Sequence, residues 1–193
     1  MTEASFLRFA PTVCAVEEDY EILVTVKEKG MVLLEVGNAV YHDLRGGVCR
    51  AEADFFKIRV PGAVLDSARE YTVVFRASQG KQAYFTTFAP HESVRFSFRP
   101  LEKTENVHIY HVADVHYRFE MAKRTAAYFG DDTDLFVVNG DIGEVETVEN
   151  YMEVLRFLGE IGEGRIPMIF SRGNHDTRGR LAECFTEYFP APT

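Results

Sequence analysis

The sequence predicts two folding units in series: an antiparallel β-sandwich over residues 1–102, then an α/β unit, in the order βαβαβα, over residues 103–193. Three observations predict it. Residues 1–100 carry many short runs of alternating apolar residues divided by turn signals, the pattern of an antiparallel sandwich. Residues 100–106, Pro-Leu-Glu-Lys-Thr-Glu-Asn, are polar and open with proline, as a linker does. Beyond them, β-branched runs alternate with segments of helical period, which builds βαβ units on a parallel sheet.

In the first unit the expected strands are 21–27, 31–36, 55–60, 71–76, 84–88 and 94–98. Lys29-Gly30, Arg45-Gly46-Gly47, Pro61-Gly62 and Gln79-Gly80 are the turns between them. Phe96 and Phe98 lie two apart, so they share one face and belong to the core. The stretch 65–75, which ends Glu70-Tyr71-Thr72-Val73-Val74-Phe75, resembles the E–F corner of a fibronectin type III or immunoglobulin-like domain. That resemblance implies that the Tyr71 hydroxyl returns to the backbone just upstream. In the second unit, 107–113 is expected as a buried strand and 119–129 as a helix stopped by Gly130. Residues 135–138 and 167–171 are the next strands, and 181–189 is a third helix. The helix over 148–161 takes Thr147 as N-cap and has Gly162 just past its end. Tyr151, Val154, Leu155 and Leu158 form its apolar stripe, which belongs to the core.

With 193 residues and 46% apolar content, the chain can bury real cores. It has no run of 18 apolar residues, so no transmembrane helix is expected. The opening residues lack a basic region followed by a long apolar run, so they do not read as a secretory signal. Cys14, Cys49 and Cys184 show neither CxxC spacing nor an even count. They read as reduced, buried thiols of a cytoplasmic protein. The charge is uneven: residues 1–100 hold 12 Lys and Arg against 13 Asp and Glu, whereas residues 101–193 hold 9 against 17. So acidic a half argues against nucleic-acid binding and fits carboxylates that meet cations. A solvated acidic helix face (Glu144, Glu146, Glu149, Glu153) accounts for most of the excess.

Three clusters carry the chemistry: Asp114-Val115-His116, Gly140-Asp141 and Gly173-Asn174-His175-Asp176. Each falls where an expected parallel strand ends, and ligands of open α/β sheets gather beyond the carboxyl ends of the strands. Carboxylate, amide and imidazole donors suit hard to borderline divalent metals. Taken in order, the D-x-H, G-D and G-N-H-D pieces resemble the calcineurin-like metallophosphoesterase family. The resemblance covers roughly residues 104–193, so the α/β unit would be the first half of that family's fold. The family closes its site with further histidines in a G-H-x-H-type motif, and no histidine follows His175. The chain is therefore expected to be the front portion of the enzyme.

The resemblance implies a phosphate mono- or diesterase that uses a metal-bridging hydroxide at a two-metal site, the ions being Mn, Fe, Zn or Mg. Asp114 and His116 would bind the first ion, Asp141 would bridge, and Asn174 would bind the second. The i, i+2 spacing of Asp114 and His116 suits a strand end, where both leave the backbone on one side. His175 would act near the leaving oxygen, oriented by Glu144, three residues after the bridging carboxylate. Arg172 would contact phosphate or form a surface salt bridge. Asp176 would stabilise its loop. Two departures separate the chain from purple acid phosphatases, whose catalytic domain also follows a sandwich. They have D-x-G where this chain has Asp114-Val115-His116, and a tyrosine where it has Glu144. The alternative is a non-catalytic interaction module with at most one metal. No nucleic-acid or membrane partner is expected; self-association through an uncovered sheet edge is. His42 and His91 are expected to be exposed; His108 and His111 lie on the first strand of the α/β unit, His111 either as a hydrogen-bonded core residue or as a support behind Asp114.

Overall fold

The computed structural model describes residues 6–45, 51–81, 84–143 and 147–190. Strand β1 is Thr12–Val16. Strand β2, Asp19–Val36, runs through the Lys29-Gly30 step expected to be a turn. The reason lies in its neighbours. Gly30 pairs with Ala53 on one side and Ala77 on the other, so two flanking strands carry the backbone straight through. Then come β3 (Ala39–His42), β4 (Ala53–Pro61), helix α1 (Gly62–Ala68), β5 (Glu70–Lys81), β6 (Thr86–Phe88) and β7 (Glu92–Ser97). The first half of β2 pairs with β1 and β4, and its second half with β3 and β5. Alternate residues Ile22, Val24 and Val26, then Val32, Leu34 and Val36, point into one core with Phe56, Ile58, Tyr71, Val73, Phe96 and Phe98.

The second half contributes β8 (Ile109–Val112), α2 (Phe119–Phe129), β9 (Leu135–Asn139), α3 (Val148–Gly162), β10 (Met168–Ser171) and a short α4 (Phe185–Tyr188). The helix expected over 181–189 is thus a 3₁₀ turn at Ala182–Cys184 leading into α4. Helix α3 starts at the expected cap. The Thr147 hydroxyl accepts from the Asn150 N–H, and the Asn150 side chain accepts from the Thr147 N–H at 3.0 Å, a capping box. Strands β8, β9 and β10 pair in parallel.

One pairing changes the architecture expected from the sequence. Strand β1 pairs antiparallel with β2 and parallel with β10, Cys14 opposite Met168. The described residues therefore form one continuous ten-stranded sheet across the 102/103 division. The β1–β2–β4 segment is shared. Val13, Ile22, Val24 and Phe56 face the first core, while Cys14, Val16, Leu23 and Phe55 face a second core with Tyr110, Phe136, Val138, Tyr151, Leu155, Leu158 and Phe185. The run Thr12–Val16 is short and lies between Pro11 and two glutamates, so local pattern does not mark it as a central strand.

Tyr71 corrects a second expectation. It is buried, but its hydroxyl donates to the carbonyl of Gly164, just after α3, at 2.9 Å, and so ties the two halves together. The 100–106 stretch is also anchored. Arg99 donates its N–H to the Arg165 carbonyl at 2.8 Å and its guanidinium to the carbonyls of Asp131 and Thr133. Asp134 accepts from Lys103 at 2.8 Å and from the His108 N–H at 2.9 Å.

Among the described residues, the parallel strands are covered on one face only. Tyr110, Phe136, Val138 and Met168 face α2 and α3. On the other face Ile109 is 53% exposed, Ile169 is 45% exposed, and His111 is exposed, so 107–113 is not the doubly buried strand its composition suggests. His108 is exposed too, its Nδ1 3.0 Å from the Asp132 carbonyl, so neither histidine is a core residue. His42 and His91 are exposed as expected. Cys14 is buried, burial pushing its thiol pKa well up, and Cys184 is half-buried; both are free, and Cys49 lies outside the described residues.

Candidate metal centre

The loops after β8, β9 and β10 converge at the carboxyl edge of the parallel strands. The first is not strand-like. Asp114, His116 and Tyr117 adopt φ of +53°, +44° and +61°, left-handed values uncommon for non-glycine residues. The i, i+2 argument drawn from extended geometry therefore fails for Asp114 and His116. Asp141 shares the left-handed region at +51°. Such residues persist where surrounding contacts over-determine them, and here the two loops are stitched together. The N–H groups of Asp114, His116 and Tyr117 donate in turn to the carbonyls of Gly140, Asp141 and Ile142, at 3.2, 3.1 and 3.1 Å.

The loops after β9 and β10 meet just as closely. A Cβ on Gly140 would lie 2.5 Å from the Gly173 Cα, and one on Gly173 would lie 2.5 Å from the Asp141 nitrogen. Gly140 also adopts φ +67°, so glycine there answers both conformation and space. The glycines of the G-D and G-N-H-D pieces are thus the contact that lets two strand ends touch.

This packing gathers His116, Asp141 and His175. One ligand atom from each lies within 4.8 Å of the other two. The two imidazole rings are edge to face, centroids 4.6 Å apart. Asp141 is nearly buried, and its Oδ1 accepts the His175 N–H at 2.7 Å. Two imidazole nitrogens and a carboxylate oxygen suit zinc, iron or manganese, and three protein donors leave room for further ligands.

The other sequence-predicted residues stand as follows. Asp114 is exposed and outside the trio. Asn174 is exposed, its backbone carbonyl accepting from the Thr177 hydroxyl at 2.8 Å. Glu144 lies outside the described residues. Arg172 is half-buried with its guanidinium 4.2 Å from the centroid of the Phe185 ring, and its buried Nε has no partner among the described residues. The guanidinium stacks on Phe185, and the surface salt bridge, one of the two expectations for Arg172, does not occur among the described residues. Asp176, buried at 3% exposure, does hold its loop. Sequence reasoning missed Phe185 as the platform for Arg172, and Tyr117, whose ring fills the space beside Gly143. Tyr117 adjoins the D-x-H piece, a signal available in the sequence; Phe185 gave none.

Residues 107–192 match the family model described as calcineurin-like phosphoesterase. Among solved structures, the chain is similar to the purple acid phosphatase PPD1 from yellow lupin (Lupinus luteus) seeds. The TM-score is 0.56 at 11% identity, and the alignment covers 97% of this chain and 42% of that one. At that identity the likeness concerns the fold, and the chain spans less than half of that phosphatase's length. No curated protein sequence matches.

Proposed function

Because residues 107–192 belong to the metallophosphoesterase superfamily, we propose that the chain supplies the metal-binding part of a phosphoesterase acting on phosphate mono- or diesters. The observation that carries this reading is the trio His116, Asp141 and His175, its donors within 4.8 Å at the carboxyl edge of β8–β9–β10. Bound divalent ions supply Lewis acidity toward phosphoryl oxygens and a water acidic enough to attack near neutral pH. Asp141 and His116 would hold an ion, with Asp141 fixed by the His175 backbone. Asp114 and Asn174 are the further donors for a second ion. His175 stands beside the same group and would donate a proton to the leaving oxygen. Glu144 is the proposed partner that orients its imidazole, and Arg172 the proposed phosphate contact. The N-terminal strands, proposed as a sandwich-like unit, support the site through β1, which continues the sheet from β10. The open face bearing Ile109, His111 and Ile169 is the proposed surface for self-association.

A second reading, a non-catalytic module holding at most one ion, draws on Asp114: it lies outside the trio, and the trio by itself suits one ion. One experiment separates them. The protein is stripped with a chelator and reloaded with Mn, Fe, Zn or Mg, and hydrolysis of an aryl phosphate and an aryl phosphodiester is followed. The phosphoesterase reading expects metal-dependent turnover that falls by at least ~10²-fold in Asp141→Asn. Equal rates with and without metal, or in the variant, refute it.

A further inference from the structure

Two carboxylates in the site exchange partners. The Asp141 side chain, from the loop after β9, accepts a backbone N–H of the loop after β10, that of His175, at 2.7 Å. The Asp176 side chain, from the loop after β10, reaches back and accepts the backbone N–H of Asp141 at 2.7 Å through Oδ2. The same Oδ2 accepts the N–H of Gly173 at 2.9 Å. Each loop thus grips the other's backbone. Between the two grips lies the Gly140–Gly173 contact, which leaves no slack for the loops to slide.

Asp176 is not one of the trio of donors and is 3% exposed, so it is not a ligand in this arrangement. Its two hydrogen bonds end on Asp141 itself and on the residue that begins the His175 loop. From this geometry we infer that Asp176 is a positioning residue: it fixes the Asp141 backbone, and with it the carboxylate, against the loop that carries His175, and thereby the affinity and geometry of the metal site. The inference rests on the metal-binding reading of the trio. It needs only that a carbonyl-type oxygen sit at the Oδ2 position, because two N–H donors, not a cation, are what it serves. Partners that orient a ligand in this way change metal affinity by ~10–100-fold when altered.

The test uses Co²⁺ as the probe, read by its visible absorption bands and by titration calorimetry on the full chain stripped of metal. Asp176→Asn keeps an oxygen in place without charge; Asp176→Glu keeps the charge and moves the oxygen by one methylene. The expected result is near wild-type affinity and spectrum for Asp176→Asn, and ~10–100-fold weaker binding with altered bands for Asp176→Glu. A merely structural role would lower the melting temperature of either variant without moving the spectrum of the folded protein, and would overturn the inference. So would equal losses in both variants, because a neutral oxygen held in place would then not suffice. Wild-type protein that takes no Co²⁺ defeats the metal reading itself and the inference with it; wild-type binding with an unaffected Asp176→Glu defeats only the inference.

Discussion

Replacing Gly173 with alanine adds one methyl group at the tightest contact of the site. The new Cβ would lie 2.5 Å from the Asp141 nitrogen and 2.7 Å from its Cγ, with Oδ1 nearer still. Ordinary contact begins near about 3.5 Å, so the loops must part by roughly 1 Å. Two hydrogen bonds span the gap, His175 N–H to Asp141 Oδ1 and Asp141 N–H to Asp176 Oδ2, both at 2.7 Å. Bonds to charged acceptors contribute about 1.5–3 kcal/mol each, so their partial loss predicts about 2–4 kcal/mol of destabilisation. A displacement of about 1 Å at reacting groups also predicts roughly 10²-fold slower turnover. The assay pairs urea unfolding with Co²⁺ titration. Gly37→Ala is the control: φ there is +57° with nothing within 4 Å of the added carbon, so it stores about 1 kcal/mol of backbone strain far from the site. Gly173→Ala with wild-type stability and metal affinity would refute the claim that the two glycines set the site.

Tyr71→Phe removes the hydroxyl that donates to the Gly164 carbonyl and leaves that buried oxygen unpaired. Urea unfolding should show a loss of about 1–2 kcal/mol, and no change would mean the tie between the halves is dispensable. Acid stability should depend on Asp43. Burial raises its carboxyl, but the Arg45 guanidinium and the N–H groups of Lys57 and Arg45 outweigh burial and hold it below the usual carboxylate range. A depressed value stabilises the fold above the unfolded carboxylate range, and this contribution is lost as pH falls through the folded value. Asp43→Asn should therefore flatten the fall in melting temperature below about pH 4; an unchanged acid limb would contradict it.

How much was legible in the sequence varies with the range of the interaction concerned. Helices α2 and α3 lie within a residue of where period and capping placed them, because each depends on neighbours three or four positions away. The three motifs sit at the ends of β8, β9 and β10 as expected, since each strand is a local apolar run. The left-handed turn at Asp114–Tyr117 was not legible: no side chain there asks for it, and it exists because three N–H groups find the carbonyls of the next loop.

The sequence by itself determined the order of elements in the second half, the residue types at the strand ends and the family those types resemble. Tertiary structure decided the rest. It inserted β1 between β2 and β10, sent Tyr71 to Gly164 instead of upstream, left one face of the parallel strands open, and brought His175 beside His116 and Asp141. The physical reason is common to all four. Each turns on a partner far along the chain, selected by shape and hydrogen-bonding capacity once the backbone is packed, and a local pattern carries no record of that partner.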